Sequence, residues 1–166
     1  MPLSIRINGK RYRISAPSDT PLLYVLTNDI GLKGPRFGCG MAQCGSCSVL
    51  ADGKEIRSCV MPVGSVARME ITTLEGLARF DARKRGLTKV PDLHPLQQAI
   101  IDEQALQCGY CYNGMTVKGA ELLASNPNPS EAEIRDAMAG HICRCGTYQR
   151  ISAAIKRAAA TIGGKT

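Results

Sequence analysis

The residues best able to do chemistry are eight cysteines in a chain of 166 residues, and they fall into two sets of four. The first set is Cys39, Cys44, Cys47 and Cys59. Its spacing, C-x4-C-x2-C with a fourth thiol further on, is the plant-type pattern for a [2Fe–2S] cluster. Four thiolates on one small anionic cluster need a backbone that wraps closely and turns its amides toward sulfur. Gly38, Gly40 and Gly45 supply residues that tolerate positive φ and have no bulk, and Ala42 and Ser46 are small as well. Structural zinc prefers paired C-x2–4-C knuckles, which three thiols within one Gly-rich loop match poorly.

The second set is Cys108-Gly109-Tyr110-Cys111 and Cys143-Arg144-Cys145. A C-x2-C pair suits zinc, a redox pair or a cluster. The redox-pair reading fails because no βαβ pattern surrounds it. Both pairs stand just before predicted helices, where unpaired N–H groups and the positive dipole end favour an anion. On spacing alone this site stays open between a cluster and zinc.

The elements that must position these thiols read differently in the two halves. Leu3 to Ile7 alternates at period two, Asn8-Gly9 is a strong type I′ turn signal, and the alternation resumes from Arg11 to Ile14. Thr20 predicts an N-cap with Pro21 at the first helical position, an apolar face of Leu22, Leu23, Val25, Leu26 and Ile30, and a stop at Gly31. A second hairpin turns at Asp52-Gly53 and brings in Cys59. A last strand covers Ile71 to Thr73. Hairpin, helix, loop, hairpin and strand predict a β-grasp domain.

The second half predicts four helices. They start at His94-Pro95, at Cys111, at the capping box Ser130-x-x-Glu133, and at Thr147. The fold class is therefore α+β: a β-grasp ferredoxin-like domain over residues 1–77, a basic linker over 78–92, and a four-helix domain over 93–166. The basic run Arg79 to Lys89 reads as a solvated linker, with wrapping along an acidic partner as the sharper alternative. His94 reads as a helix cap. His141, two residues before Cys143, reads as a packing residue beside the site rather than a ligand. Tyr110 and Tyr112 read as shielding.

Lys and Arg number 21 against 14 Asp and Glu, a formal charge of +7. No nucleic-acid motif accompanies that charge, and five Tyr, two Phe and no Trp make a poor base-stacking platform. The longest strongly apolar stretch, Pro21 to Leu26, is far too short to span a bilayer. With no signal-like segment, clustered thiols point to the cytoplasm and to metal. Periplasmic export beside a signal-bearing partner is the alternative. No P-loop, dinucleotide fingerprint, nucleophile or general-base constellation is present. Catalysis by this chain alone is not expected; a cofactor would carry the chemistry.

Four segments carry a family resemblance. They are Phe37 to Cys47 (FGCGMAQCGSC), Arg57-Ser58-Cys59, Gln107 to Met115 (QCGYCYNGM), and His141 to Tyr148 (HICRCGTY). In order, and with all eight cysteines in place, they resemble the iron–sulfur subunit of the molybdenum hydroxylases, the xanthine oxidase family. The resemblance implies two [2Fe–2S] clusters, and it resolves the second site as a cluster nearer to molybdenum. It implies an electron-transfer subunit that takes electrons from a molybdopterin centre in a separate large subunit. Gln107 and Cys145 occupy positions that contact the pterin, a molybdopterin cytosine dinucleotide in many bacterial members. Met41-Ala42-Gln43 is similar to the two-subunit branch of isoquinoline 1-oxidoreductase and nicotinate dehydrogenase. That branch implies a cytochrome c or similar acceptor rather than a flavin subunit. Against this stand a free two-cluster ferredoxin, which would be a soluble monomer, and a zinc-stapled module, which would be colourless.

Overall fold

The computed structural model describes residues 3–164; the outermost limits of both expected domains, 1 and 166, lie outside them. The first half is a five-stranded sheet. It comprises β1 (Leu3–Ile7), β2 (Lys10–Ile14), β3 (Ser48–Ala51), β4 (Lys54–Arg57) and β5 (Glu70–Thr72), in the order β2-β1-β5-β3-β4. β1 pairs parallel to β5, and every other pairing is antiparallel. Both tight hairpins use the expected turns. Asn8 and Gly9 have φ of 52° and 80°, and Asp52 and Gly53 have 48° and 82°, the paired positive values that a type I′ turn demands.

One face of the sheet packs on α1 (Leu22–Tyr24), which widens into a single π turn at Val25–Asp29. Ile5, Ile7, Ile14, Val49, Ala51 and Ile71 meet Leu22, Val25 and Leu26 there. The helix begins one residue later than expected. Pro21 itself is the cap, without a side-chain bond. Val63 N–H holds the Thr20 carbonyl at 2.9 Å, and Pro21 bridges Pro62, so both residues are held against the loop after β4.

The basic run is not wholly a solvated linker. Its first part lies in α2 (Leu77–Arg85), which buries Leu77, Ala78, Phe80, Asp81 and Ala82. Phe80 and Leu77 cover the other face of the sheet at Leu50. Apolar residues interleaved with the arginines make the helix amphipathic, and the sheet's second face selects it. Gly86, at φ 66°, ends α2, and residues 86–90 are exposed.

The second half forms the four expected helices: α3 (Pro95–Asp102), α4 (Tyr112–Ser125), α5 (Glu131–Met138) and α6 (Tyr148–Gly163). Leu96, Ile100, Met115, Leu123, Ile134, Ile151 and Ile155 fill their core. Both capping devices form. His94 Nδ1 accepts from Leu96 N–H at 3.0 Å while Gln97 Oε1 accepts from His94 N–H at 2.9 Å. Ser130 and Glu133 exchange the same pair of bonds. The other side of α4 faces the sheet, where Val117 and Ala120 join Leu50, Leu77 and Phe80. This is why β3 is buried on both faces. Among the described residues no helix is long and apolar enough to cross a membrane.

Candidate metal centres

The first thiol loop runs from the end of α1 to β3, and its backbone coils around sulfur. The N–H groups of Gln43, Cys44 and Met41 point at Cys39 Sγ from 3.2, 3.3 and 3.5 Å, and Cys39 N–H points at Cys44 Sγ from 3.3 Å. The bond from Met41 is the largest influence on the Cys39 thiol. It outweighs burial and, with Cys44 and Gln43, holds the thiol down at about 7. Gly40 and Gly45 take φ of 70° and 81° as expected, and Ala42 joins them at 63°. Gly38 serves by size alone, since a β-carbon there would lie 2.6 Å from Cys44 Sγ. Cys47 and Cys59 lie deeper, against Leu23. β4 and its following turn bring Cys59 in, and burial is the chief cause that pushes Cys47 up to about 11.

The second set hangs on two helix starts. Cys111 caps α4, and Cys143-Arg144-Cys145 precedes Thr147, the cap of α6. Cys145 Sγ lies 3.5 Å from Cys108 Sγ. Burial, and then the interaction with Cys143, pushes Cys111 up to about 12. Burial would raise Cys143 as well, but the hydroxyl and backbone of Thr147 overcome it and hold this thiol near 7. The Thr147 hydroxyl is 3.3 Å from Cys143 Sγ, and Cys143 N–H donates to Tyr148 Oη at 2.7 Å. Cys111 and Cys143 are buried, Cys145 is half-buried and Cys108 is exposed.

None of the eight cysteines is in a disulfide. Among the described residues, no three or more His, Cys, Asp or Glu side chains converge as ligands of one metal ion would. Within each set the thiols influence one another: Cys47 feels both Cys59 and Cys44, Cys111 feels both Cys143 and Cys108, and Cys108 feels both Cys145 and Cys143. Four thiols per set match the ligand count of a [2Fe–2S] centre.

The two sites touch. Ile142 N–H donates to the Cys44 carbonyl at 3.0 Å. Asn113, the second residue of α4, donates to the carbonyls of Ser46 and Ser48, both at 2.8 Å. Arg36 donates to the Gly109 carbonyl at 2.6 Å and covers the Tyr110 ring, whose hydroxyl bonds the Phe37 carbonyl. Tyr110 thus ties the two loops together and stays half exposed. His141 is 3 % exposed and reaches Glu55 and Arg57 of β4. Sequence reasoning passed over Glu55 and missed the role of Arg57. The available signal was two opposite charges two residues apart, on one face of a strand. Gln107 is exposed beside Cys108 and lines a cleft of about 240 Å³ with Gln104, Gly146, Thr147, Gln149 and Arg150.

With this geometry in hand, residues 5–70 match the 2Fe-2S iron-sulfur cluster binding domain, and residues 73–156 match the [2Fe-2S] binding domain. One of the subunits of nicotinate dehydrogenase from Pseudomonas putida is 48 % identical, across 96 % of this chain and 95 % of that protein. The alpha subunit of isoquinoline 1-oxidoreductase from Brevundimonas diminuta is 47 % identical, across 92 % and 94 %. The chain belongs to the iron–sulfur small-subunit family of the molybdenum hydroxylases. Membership extends to the coordinates. Quinoline 2-oxidoreductase from Pseudomonas putida 86 superposes with a TM-score of 0.84 at 35 % identity, across 100 % of this small subunit and 98 % of that chain. Like the family, this small subunit has two [2Fe–2S]-binding domains, and it is the iron–sulfur component of an oxidoreductase.

Proposed function

We propose that this chain carries electrons from the molybdopterin centre of a large partner subunit, through two [2Fe–2S] sites, to an external acceptor protein such as a cytochrome c. The observation that carries the reading is the arrangement of the thiols. Two sets of four sit on loops that are hydrogen-bonded to one another. Each set also has one edge toward the surface, at Cys39 and Cys44 for the first and at Cys108 and Cys145 for the second. That is the order a relay needs: an entry edge, a bridged middle and an exit edge.

Cys39, Cys44, Cys47 and Cys59 would hold the first cluster, and Cys108, Cys111, Cys143 and Cys145 the second. A bound [2Fe–2S] cluster takes up and gives back a single electron. The chain's own work is to hold the thiols in place and to set the surroundings of the sulfurs. Backbone N–H groups at Cys39 and the Thr147 hydroxyl at Cys143 stabilise negative sulfur. Burial by Leu23 at Cys47 and Cys59 keeps water away.

Gln107 and Cys145 are the residues for the pterin, which the large subunit would hold as its cytosine dinucleotide. Gln107 is exposed beside Cys108, and its cleft continues into the turn after Cys145. The acceptor would approach the loop around Cys39, where Phe37 and Met41 are exposed. We place the protein in the cytoplasm, where clustered cysteines stay reduced and available as metal ligands; export beside a signal-bearing partner is the alternative.

The test is metal analysis with low-temperature EPR of the dithionite-reduced protein, followed by isolation from its own cell with whatever accompanies it. Iron at two atoms per thiol set, two distinct signals and a co-purifying molybdenum subunit support the proposal. Zinc in the second set, or a free monomer in the cell, would sink it.

A further inference from the structure

We propose that Glu55, Arg57 and His141 form a buried clamp that holds the two thiol sites at a fixed separation, and that they act as positioning residues for electron passage between them. This rests on the electron-transfer reading above.

The clamp is built from both halves of the chain. Glu55 and Arg57 lie on β4, the strand that delivers Cys59. His141 stands two residues before Cys143. Arg57 Nε donates to the Ala42 carbonyl in the first thiol loop at 3.3 Å, and one of its terminal nitrogens donates to the Gly140 carbonyl before the second thiol turn at 2.9 Å. The other terminal nitrogen bonds Ser48 and Glu55 and lies 3.0 Å from His141 Nε2. His141 Nε2 is 2.8 Å from Glu55 Oε1. Lys118 and Glu121 of α4 add contacts from behind: Lys118 Nζ is 3.7 Å from Glu55 Oε2, and Glu121 accepts from Glu55 N–H at 3.1 Å.

The imidazole is also a spacer. A β-carbon on Gly45, which lies between Cys44 and Cys47, would come within 2.4 Å of His141 Cδ2; one on Gly114, three residues past Cys111, would come within 3.0 Å. One ring therefore touches the first loop and the helix that starts at the second site, while its own turn carries Cys143. The side chains of Glu55 and Arg57 are only 10 % and 18 % exposed.

Apolar packing could join two domains, but it would leave them free to slide. A buried set of charges is costly to leave unpaired, so it admits one arrangement and penalises its neighbours. Electron tunnelling falls off exponentially with distance, so a joint that tolerates no sliding has a use here. Asn113, Arg36 and Tyr110 tie the same two loops from other sides.

The test compares Glu55→Ala, Arg57→Lys and Glu55→Gln with the wild type in the iron-loaded holoenzyme. Three quantities are measured: iron content, the magnetic interaction between the two reduced centres by EPR, and the rate of electron equilibration between them after a rapid reducing pulse. Arg57→Lys keeps the charge and loses the fork to Ala42 and Gly140. Glu55→Gln keeps the shape and the acceptor oxygen. Glu55→Ala and Arg57→Lys are expected to keep both signals, weaken their interaction and slow equilibration about tenfold, since a small displacement of reacting partners is costly in rate. Glu55→Gln removes the negative charge that Arg57, His141 and Lys118 share, and it is expected to slow equilibration by less than Glu55→Ala, because its amide oxygen still accepts. A lower melting temperature with unchanged interaction and rate would overturn the proposal and leave these residues a purely structural role. So would a wild-type rate in Arg57→Lys, the variant least disturbed in fold. A wild type without two [2Fe–2S] signals would instead overturn the electron-transfer reading.

Discussion

Gly114 presses its α-carbon against the carbonyl oxygen of Gly45: a β-carbon at 114 would lie 2.3 Å from that oxygen. The neighbour is backbone, in a loop held by hydrogen bonds on either side, so it has little room to move. Gly114→Ala is therefore expected to destabilise the protein by about 1–3 kcal/mol, even after the gain in helix propensity of about 1 kcal/mol. Urea unfolding of the iron-loaded protein checks this. Gly163→Ala is the control. It sits at the end of α6 with nothing within 4 Å of a new β-carbon, and it should be near neutral.

His94 makes stability depend on pH far from the thiols. Burial pushes it down to about 4 from an ordinary 6.5, with Asp81 at 4.0 Å pulling it up and Arg85 pushing it further down. A proton on Nδ1 would also end its acceptance of Leu96 N–H. The folded state thus resists a proton that the unfolded chain takes. Stability is whole above pH 6.5 and falls as pH drops, by about 1.4 kcal/mol at pH 5.5 and on the order of 3 kcal/mol at pH 4. His94→Asn keeps a capping oxygen and is expected to flatten the fall between pH 7.5 and 5.5 in chemical denaturation.

The two thiol sets should fail separately. Cys145→Ser is expected to remove the EPR signal of the second centre and block turnover while the first signal stays. Cys59→Ser is expected to do the reverse to the signals. Both signals surviving in Cys145→Ser would refute its place as a ligand.

Gln107→Ala is expected to leave iron content and both signals intact while slowing the reduction of the centres by substrate in the assembled enzyme. Stopped-flow bleaching of the visible absorption reads this directly. An unchanged rate would remove Gln107 from the pterin contact.

Much of this was legible from local chemistry. Asn8-Gly9 and Asp52-Gly53 carry their own turn geometry. Ser130 with Glu133 and His94 with Pro95 announce helix starts in a few residues. The spacing of the first thiol set announces a [2Fe–2S] centre, whereas that of the second leaves cluster and zinc open. What escaped depends on partners far away in the chain. α1 starts at Leu22 because Pro62 and Val63 hold the residues before it. α2 forms within a run of arginines because the sheet face at Leu50 needs covering. Ala42 takes a left-handed turn that no local signal demands, because Cys39 Sγ collects the N–H groups on either side of it. The association of Glu55 and Arg57 with His141 spans more than 80 positions, and no pattern within one strand could reveal it.

The parallel pairing of β1 with β5 puts the protein's birth in a definite order. Synthesis proceeds at about 5–20 residues per second, so several seconds separate Ile7 from its partner Ile71. During that time every thiol of the first set has been made, yet the sheet that carries β3 and β4 is still open. The residues that close over it from behind, Val117 and His141, come later still. Iron delivered early would meet a floppy peptide with four reactive sulfurs, and iron delivered late would meet a finished cradle. The first thiol cradle is thus complete only when residues far beyond its own four cysteines have joined it.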